Sequence, residues 1–192
     1  MKRPAVFIDR DGTISEEVGY VNHPTRFRLF PYAAEAIRIL NDAGWLAIVI
    51  TNQAGVARGY FPESVFQEVQ AHLRGEVEAG GARFDAVYAC LHHPSVGQPP
   101  YRESCDCRKP RPGLLRRAEK ELGADLRSSW VIGDRYSDMQ LAWSVGAQGA
   151  LVKSGYGLGE LTYLSPGWSK QPDLVAENLL EAVERILGRE TA

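Results

Sequence analysis

Short apolar runs alternate with amphipathic stretches along the whole chain. "AVFID" (5–9), "WLAIVIT" (45–51), "AVYACL" (86–91), "WVIGD" (130–134) and "GALV" (149–152) are mostly apolar and lack polar alternation. Such runs predict strands covered on both faces, as in a parallel sheet. Between them the spacing becomes helical. Ala33, Ala36, Ile37 and Leu40 share one helical face, and Gly44 stands where that helix can end. Pro62, read as the first helical residue, opens a second helix with Phe66, Val69, Leu73 and Val77 on one side. "PGLLRRAEKELG" and "SDMQLAWSVG" predict two shorter helices, each ending at glycine. A last helix is expected from Pro172 to Leu187, with Leu179, Leu180, Val183 and Leu187 in register.

This order predicts a doubly wound α/β sheet of five mostly parallel strands with right-handed crossovers. No repeat or linker interrupts it, so residues 1–192 read as a single domain. Two segments show no period: 92–112, rich in Pro, Cys and charge, and 153–171, rich in Gly and Ser. Long loops in compact domains often carry function.

Composition narrows the partners. The chain of 192 residues is 44% hydrophobic and 24% charged, enough to bury a core without covalent staples. A net charge of −2 gives no basic face for nucleic acid or an anionic membrane. No apolar run approaches a membrane span of roughly 20 residues. "MKRPAVFIDRDG" meets charge too soon for a secretory signal. A cytoplasmic monomer, with a small molecule as its partner, is expected.

The candidate chemistry lies at the strand ends. In open parallel sheets ligands bind beyond the carboxyl ends of the strands. Asp9 ends the first strand, and Asp11 follows just before the turn at Gly12. Thr51 ends the second strand and Asp134 the fourth, with Asp138 one helical turn later. Arg108 and Lys109 precede the helix that leads into the fourth strand. Asp9, Asp11 and Asp134 cannot all stay ionised at one rim without a cation. Hard, oxygen-seeking Mg²⁺ fits them. Lys109 and Thr51 suit a phosphoryl group there. One carboxylate can attack phosphorus, and the other can serve as general acid and base. Asp138 reads either as an exposed first-turn aspartate favouring the helix dipole or as a supporting group.

Cys90, Cys105 and Cys107 are the only cysteines, and an odd number cannot all pair. Together with His92 or His93 they complete a closed tetrahedral Zn²⁺ shell, which is structural rather than catalytic. Cys107 directly precedes Arg108 and Lys109, so zinc in the 90–107 loop would fix both cations.

"FIDRDGT", "VITN", the lysine of "RKP" and "GDRYSD" resemble the four motifs of the haloacid dehalogenase (HAD) superfamily of phosphohydrolases, in order across residues 7–138. The resemblance implies a HAD-like Rossmannoid fold, with Asp9 as nucleophile and Asp11 as general acid/base. Thr51 and Lys109 would stabilise the transferring phosphoryl. Asp134 would complete the Mg²⁺ site with the Asp9 carboxylate and the Asp11 main-chain carbonyl. The cysteine loop is similar to that of a narrow group, the D-glycero-D-manno-heptose-1,7-bisphosphate 7-phosphatases and the histidinol-phosphate phosphatases. "EEVGYVNHP", "TNQAGVARGYF" and "HHP" look more like the heptose enzymes, along residues 5–152. That likeness implies His92 as the fourth zinc ligand and His93 as a loop residue. It implies that Glu17, Val18, Gly19, Tyr20, Thr51, Asn52, Gln53 and Ala54 line a sugar bisphosphate. Arg108 would recognise its distal phosphate or hydroxyls. Arg135 would sit beside the metal site, where it departs from the lysine of that position. Arg58 reads as a solvated loop charge. No insertion is large enough for a cap domain, so short loops must enclose the substrate. Histidinol phosphate, or another small sugar phosphate, is the alternative substrate.

Overall fold

The computed structural model describes residues 2–188. Six strands form one sheet: β1 (Ala5–Ile8), β2 (Leu46–Asn52), β3 (Ala86–Cys90), β4 (Trp130–Gly133), β5 (Gln148–Val152) and β6 (Leu174–Ala176). Their order is β3-β2-β1-β4-β5-β6, and every pairing is parallel. The helices are α1 (Ala33–Asp42), α2 (Glu63–Ala79), α3 (Gly113–Leu122), α4 (Tyr136–Ser144), the short α5 (Gly157–Gly159) and α6 (Leu179–Ile186).

Successive side chains of a strand point to opposite faces, and β1 shows the consequence. Val6 and Ile8 pack into a core with Ala36, Ile37 and Leu40 of α1, Val69 and Leu73 of α2, and Leu179 and Val183 of α6. Ala5 and Phe7 pack into the opposite core with Leu115 and Ala118 of α3 and Leu141 of α4. All four β1 residues are fully buried, which explains their unbroken apolar run.

The sheet has six strands rather than the five expected. The sixth lies inside the stretch 172–187, expected to be helical throughout. Leu174, Val175 and Ala176 pair with Ala150, Leu151 and Val152 of β5. Three apolar residues are too few to show a period, and their hydrogen-bond partners lie far off in sequence. Asp173 anchors the strand: its Oδ2 accepts from Gly149 N at 2.8 Å and from Trp143 Nε1 at 2.7 Å. Helix α6 begins only after Asn178, whose Oδ1 accepts from Glu181 N at 3.1 Å. Pro62 stands one position earlier than expected, at the cap of α2. The aperiodic segment 153–171 contains α5, a π turn (Glu160–Leu164) and a 3-10 turn (Ser165–Gly167). Among the described residues no helix is long and apolar enough to cross a membrane.

The strand order reverses at β1: β2 and β3 follow on one side, and the chain then crosses to β4 on the other. The crevice at that reversal, beyond the strand ends, is where such sheets bind ligands. Asp9 N donates to Ile132 O at 2.9 Å, so pairing with β4 continues one residue past β1. Asp9 and Asp134 therefore leave the sheet side by side.

The cap on α6 is testable. Asn178→Ala should lower the unfolding free energy by about 1 kcal/mol, measured by urea denaturation. An unchanged midpoint would mean that the end of α6 is satisfied by other groups.

Candidate active site

Asp9, Asp134 and Asp138 bring carboxylate oxygens within 4.8 Å of one another at the crevice, and all three are buried. One cation serves them. Lys109 Nζ lies 2.8 Å from Asp9 Oδ2 and 2.8 Å from Asp138 Oδ1. Asp138 Oδ2 also accepts from Arg135 N at 3.3 Å at the start of α4. Asp138 is thus a buried counter-ion to Lys109, not an exposed helix-dipole residue. Asp134 Oδ2 accepts from Tyr156 N at 2.8 Å.

Three carboxylates against one ammonium leave an excess of negative charge. Burial pushes Asp9 up to about 7, with the Asp138 and Asp11 charges adding and Lys109 opposing. Burial likewise pushes Asp134 up to about 8, with the neighbouring Asp9 charge adding. Burial opposes the charge of Lys109, but Asp138 and Asp9 outweigh it and hold the ammonium well above its usual range. The site is hard, anionic and made of oxygen, so it fits a divalent cation. Gly12 brings the loop against it: φ is +83°, and a Cβ there would lie 2.1 Å from Asp134 Oδ2.

Asp11 is held apart from this cluster. Arg10 is fully buried and grips both of its oxygens, Nε to Oδ1 at 2.9 Å and Nη2 to Oδ2 at 2.7 Å. Gln53 Nε2 lies 2.7 Å from Asp11 Oδ2 and 2.8 Å from Thr51 Oγ1, joining the loop after β1 to the end of β2. Asn52 clasps the main chain of Lys109: its Oδ1 accepts from Lys109 N at 3.0 Å, and its Nδ2 donates to Lys109 O at 3.2 Å. The amides of Asn52 and Gln53 therefore hold Lys109, Asp11 and Thr51 in place.

A cleft of about 410 Å³ opens above these groups. Its lining includes Asp9, Asp11, Thr51, Asn52, Gln53, Ala54, Arg108 and Lys109. Glu17, Gly19, Tyr20 and Arg135 also reach it. Glu17 Oε1 accepts from Gly19 N, while burial raises the carboxyl above its usual range. Tyr20 meets Tyr60 edge to face, with centroids 4.7 Å apart. Val18 differs from expectation: it is partly buried against the core and is absent from the cleft lining. Ser137, inside "GDRYSD", and Tyr156, in the aperiodic segment 153–171, line the cleft too.

Cys90, His92, Cys105 and Cys107 converge beside β3, with ligand atoms within 4.8 Å of one another. Cys107 Sγ is 3.1 Å from Cys105 Sγ and 3.4 Å from His92 Nδ1, and Cys90 Sγ is 3.5 Å from Cys105 Sγ. Tetrahedral zinc at its usual bond lengths spaces such atoms by roughly 3.5–3.8 Å, so three sulfurs and one nitrogen fit that ion. His93 points elsewhere: its Nδ1 accepts from Val96 N at 3.1 Å, and its Nε2 lies 3.1 Å from Arg58 Nη2. Arg58 is half-buried against this loop and is not a solvated charge. Arg108 Nη1 donates to His92 O at 3.3 Å, which couples the cysteine loop to the cleft.

Comparison with known proteins decides the family. A protein-family model described as HAD-hyrolase-like matches residues 106–182. The D-glycero-beta-D-manno-heptose-1,7-bisphosphate 7-phosphatase of Haemophilus ducreyi is 35% identical over 95% of this chain and 98% of its own. The protein of the same name from Photorhabdus laumondii subsp. laumondii is 42% identical over 72% of this chain and 74% of its own. The chain belongs to the D-glycero-beta-D-manno-heptose-1,7-bisphosphate 7-phosphatase family. The solved D,D-heptose 1,7-bisphosphate phosphatase from B. bronchiseptica, complexed with magnesium and phosphate, superposes with a TM-score of 0.84. It is 28% identical and covers 96% of this chain and 98% of its own. The chain is therefore a HAD-type phosphoric monoester hydrolase.

For a phosphatase of this family, the raised carboxyl groups give stability a defined pH dependence. Protons bound to Asp9 and Asp134 in the folded state are absent from the unfolded chain above the ordinary carboxylate range, about pH 4. The stabilisation of the metal-free fold is therefore present below that range and is lost as pH rises through about 7 and about 8. In Mg²⁺-free buffer without chelator, which spares a thiol-bound metal, Tm should fall between pH 5 and 8. Added Mg²⁺ should raise Tm more at pH 8 than at pH 6, because fewer protons must leave. A Mg²⁺ shift that is flat or reversed in scanning fluorimetry would contradict this electrostatic account.

Proposed function

We propose that the protein removes the C7 phosphate of D-glycero-D-manno-heptose 1,7-bisphosphate through an aspartyl-phosphate on Asp9. The observation that carries this reading is the Asp9–Lys109 contact of 2.8 Å on the floor of a cleft bordered by Asp11 and Thr51. A buried carboxylate beside a buried ammonium is a nucleophile with its counter-charge already in place. Relatives named for this substrate, 34–42% identical, support the same choice.

The roles follow from the contacts. Asp9 attacks phosphorus, and its carboxyl oxygen replaces the sugar oxygen. Lys109 and the Thr51 hydroxyl neutralise and orient the phosphoryl oxygens. Asp11 protonates the departing C7 oxygen, then deprotonates the water that cleaves the acyl phosphate. Arg10 and Gln53 hold Asp11 as a carboxylate in the resting structure, so to act as acid it must leave the Arg10 pair and take up a proton from solvent. Asp9 and Asp134, with the Asp11 main-chain carbonyl, would hold Mg²⁺. When bound, Mg²⁺ supplies charge neutralisation for the reacting phosphate. Arg108, which also lines the cleft, suits a bidentate contact with the second phosphate. Cys90, His92, Cys105 and Cys107 would hold a structural Zn²⁺ that keeps Arg108 and Lys109 in place. We read the whole chain as one catalytic domain.

Stereochemistry at phosphorus distinguishes this route from direct attack by water. A C7 phosphorothioate made chiral with ¹⁸O and hydrolysed in ¹⁷O water should give product with retention at phosphorus, because two in-line displacements occur; inversion would exclude the covalent intermediate. Asp9→Asn should abolish turnover. Asp11→Asn should lower kcat by roughly 10²–10⁴-fold, and near-normal turnover would remove Asp11 from its role. In a Mg²⁺-dependent phosphate-release screen, heptose 1,7-bisphosphate should exceed histidinol phosphate and fructose 1,6-bisphosphate. Equal, weak rates on all three would reject the substrate.

Stripping a thiol-bound metal should lower both Tm and turnover, with loss of organised absorbance from a Co²⁺-substituted sample. Full turnover from a folded, metal-stripped sample would rule out the scaffold role of the cysteine loop.

A further inference from the structure

The chain after β5 folds back over the acid cluster at very short range. Ser154 Oγ donates to Gly12 O at 2.7 Å, tying this strap to the loop that carries Asp11. Tyr156 N donates to Asp134 Oδ2 at 2.8 Å. The approach depends on Gly155, whose φ is +57°. A Cβ there would lie 2.2 Å from Asp134 Oδ2 and 2.6 Å from Gly12 Cα. No side chain fits between these groups.

The ring of Tyr156 meets a different partner, Arg135. The Arg135 guanidinium carbon lies 3.7 Å from its centroid. Glu160 Oε1 stands 3.9 Å from Arg135 Nη1, while Glu160 also accepts from Tyr136 N. A flat guanidinium can stack on a ring face while keeping its N–H groups free at the edge. A lysine would not be held the same way. Arg135 and Tyr156 both line the cleft, and the Tyr156 ring is 43% exposed. Arg135 is thus aimed by its neighbours into a volume that holds only one other arginine, Arg108.

We propose that Tyr156 is a positioning residue for both halves of the site. Its main-chain N–H fixes one oxygen of Asp134, leaving the other for a cation. Its ring, with Glu160, holds Arg135 over the cleft for the phosphate that is not hydrolysed. This rests on the sugar-bisphosphate reading and adds to it: one residue sets both the metal site and the contact that distinguishes a bisphosphate from a monophosphate.

The test compares kcat/KM for heptose 1,7-bisphosphate with that for the corresponding 7-phosphate. Tyr156→Leu should reduce the wild-type ratio by roughly 3- to 30-fold, mostly through KM for the bisphosphate. Tyr156→Phe keeps the ring face and should keep the ratio. Arg135→Ala combined with Tyr156→Leu should be no worse than Arg135→Ala alone, because the ring acts through the guanidinium. The main-chain half is read by Mg²⁺ calorimetry on the resting protein. Gly155→Ala should weaken Mg²⁺ binding by about 10- to 100-fold, and Ser154→Ala, a milder change that avoids backbone strain, should weaken it less. An unchanged ratio in Tyr156→Leu, from a wild type that prefers the bisphosphate, overturns the proposal. Wild-type Mg²⁺ affinity in both Ser154→Ala and a folded Gly155→Ala overturns it as well. A wild type indifferent to the second phosphate instead overturns the substrate reading, and the Arg135 half falls with it.

Discussion

Three carboxylates share the buried end of β1 and β4 with a single ammonium, and this imbalance governs the rest of the site. Lys109 lies 2.8 Å from Asp9 and from Asp138, and Asp134 joins them within 4.8 Å. Removing one partner of such a buried pair commonly costs 3–5 kcal/mol, because the remaining charge has no water to turn to. The lysine is therefore held in place by the same groups whose charge it relieves. The remaining negative charge is what a divalent cation can answer.

The fold supplies this concentration of charge cheaply because the strands already converge. Asp9 follows β1 and Asp134 follows β4, and the parallel order sets both at one rim. Lys109 comes from a loop and needs a separate anchor. Asn52, at the end of β2, clasps its main chain through two amide contacts. Gln53 binds Asp11 and Thr51 together. Asn52 and Gln53, expected to line the substrate, border the cleft and also hold Lys109, Asp11 and Thr51.

The cysteine loop answers a different constraint. Residues 91–112 bury few apolar side chains and have no helix or strand to stiffen them. Three cysteines and His92 draw the loop together, and Arg111 adds a contact of 2.7 Å to Cys105 O. Arg108 and Lys109 emerge directly from this knot. Arg108 leans on His92 O, and Lys109 enters the acid cluster. Loop order and cation placement are linked here, because the same short segment carries the cysteine cluster and both cations.

Much of this was legible from residue order. Unbroken apolar runs reveal strands with two covered faces, because a buried strand has no solvent side on which to place polar groups. A parallel sheet then brings Asp9, Thr51 and Asp134 to the same rim. Cysteine spacing marks the metal-type loop, since four ligands within 18 positions can close on one ion. The sequence could not reveal β6, whose three residues are strand only because β5 offers an edge. It could not choose between an exposed and a buried Asp138, or reveal that Arg10 turns inward to hold its own neighbour Asp11. It put Val18 at the substrate and Arg58 in solvent, where the fold packs Val18 against the core and rests Arg58 against His93. The contact of Ser154 with Gly12 joins residues 142 positions apart in an aperiodic segment. Local patterns record which way a side chain must face relative to its own element. Only the closed tertiary structure decides which distant group it meets there, because that depends on where two chain segments cross.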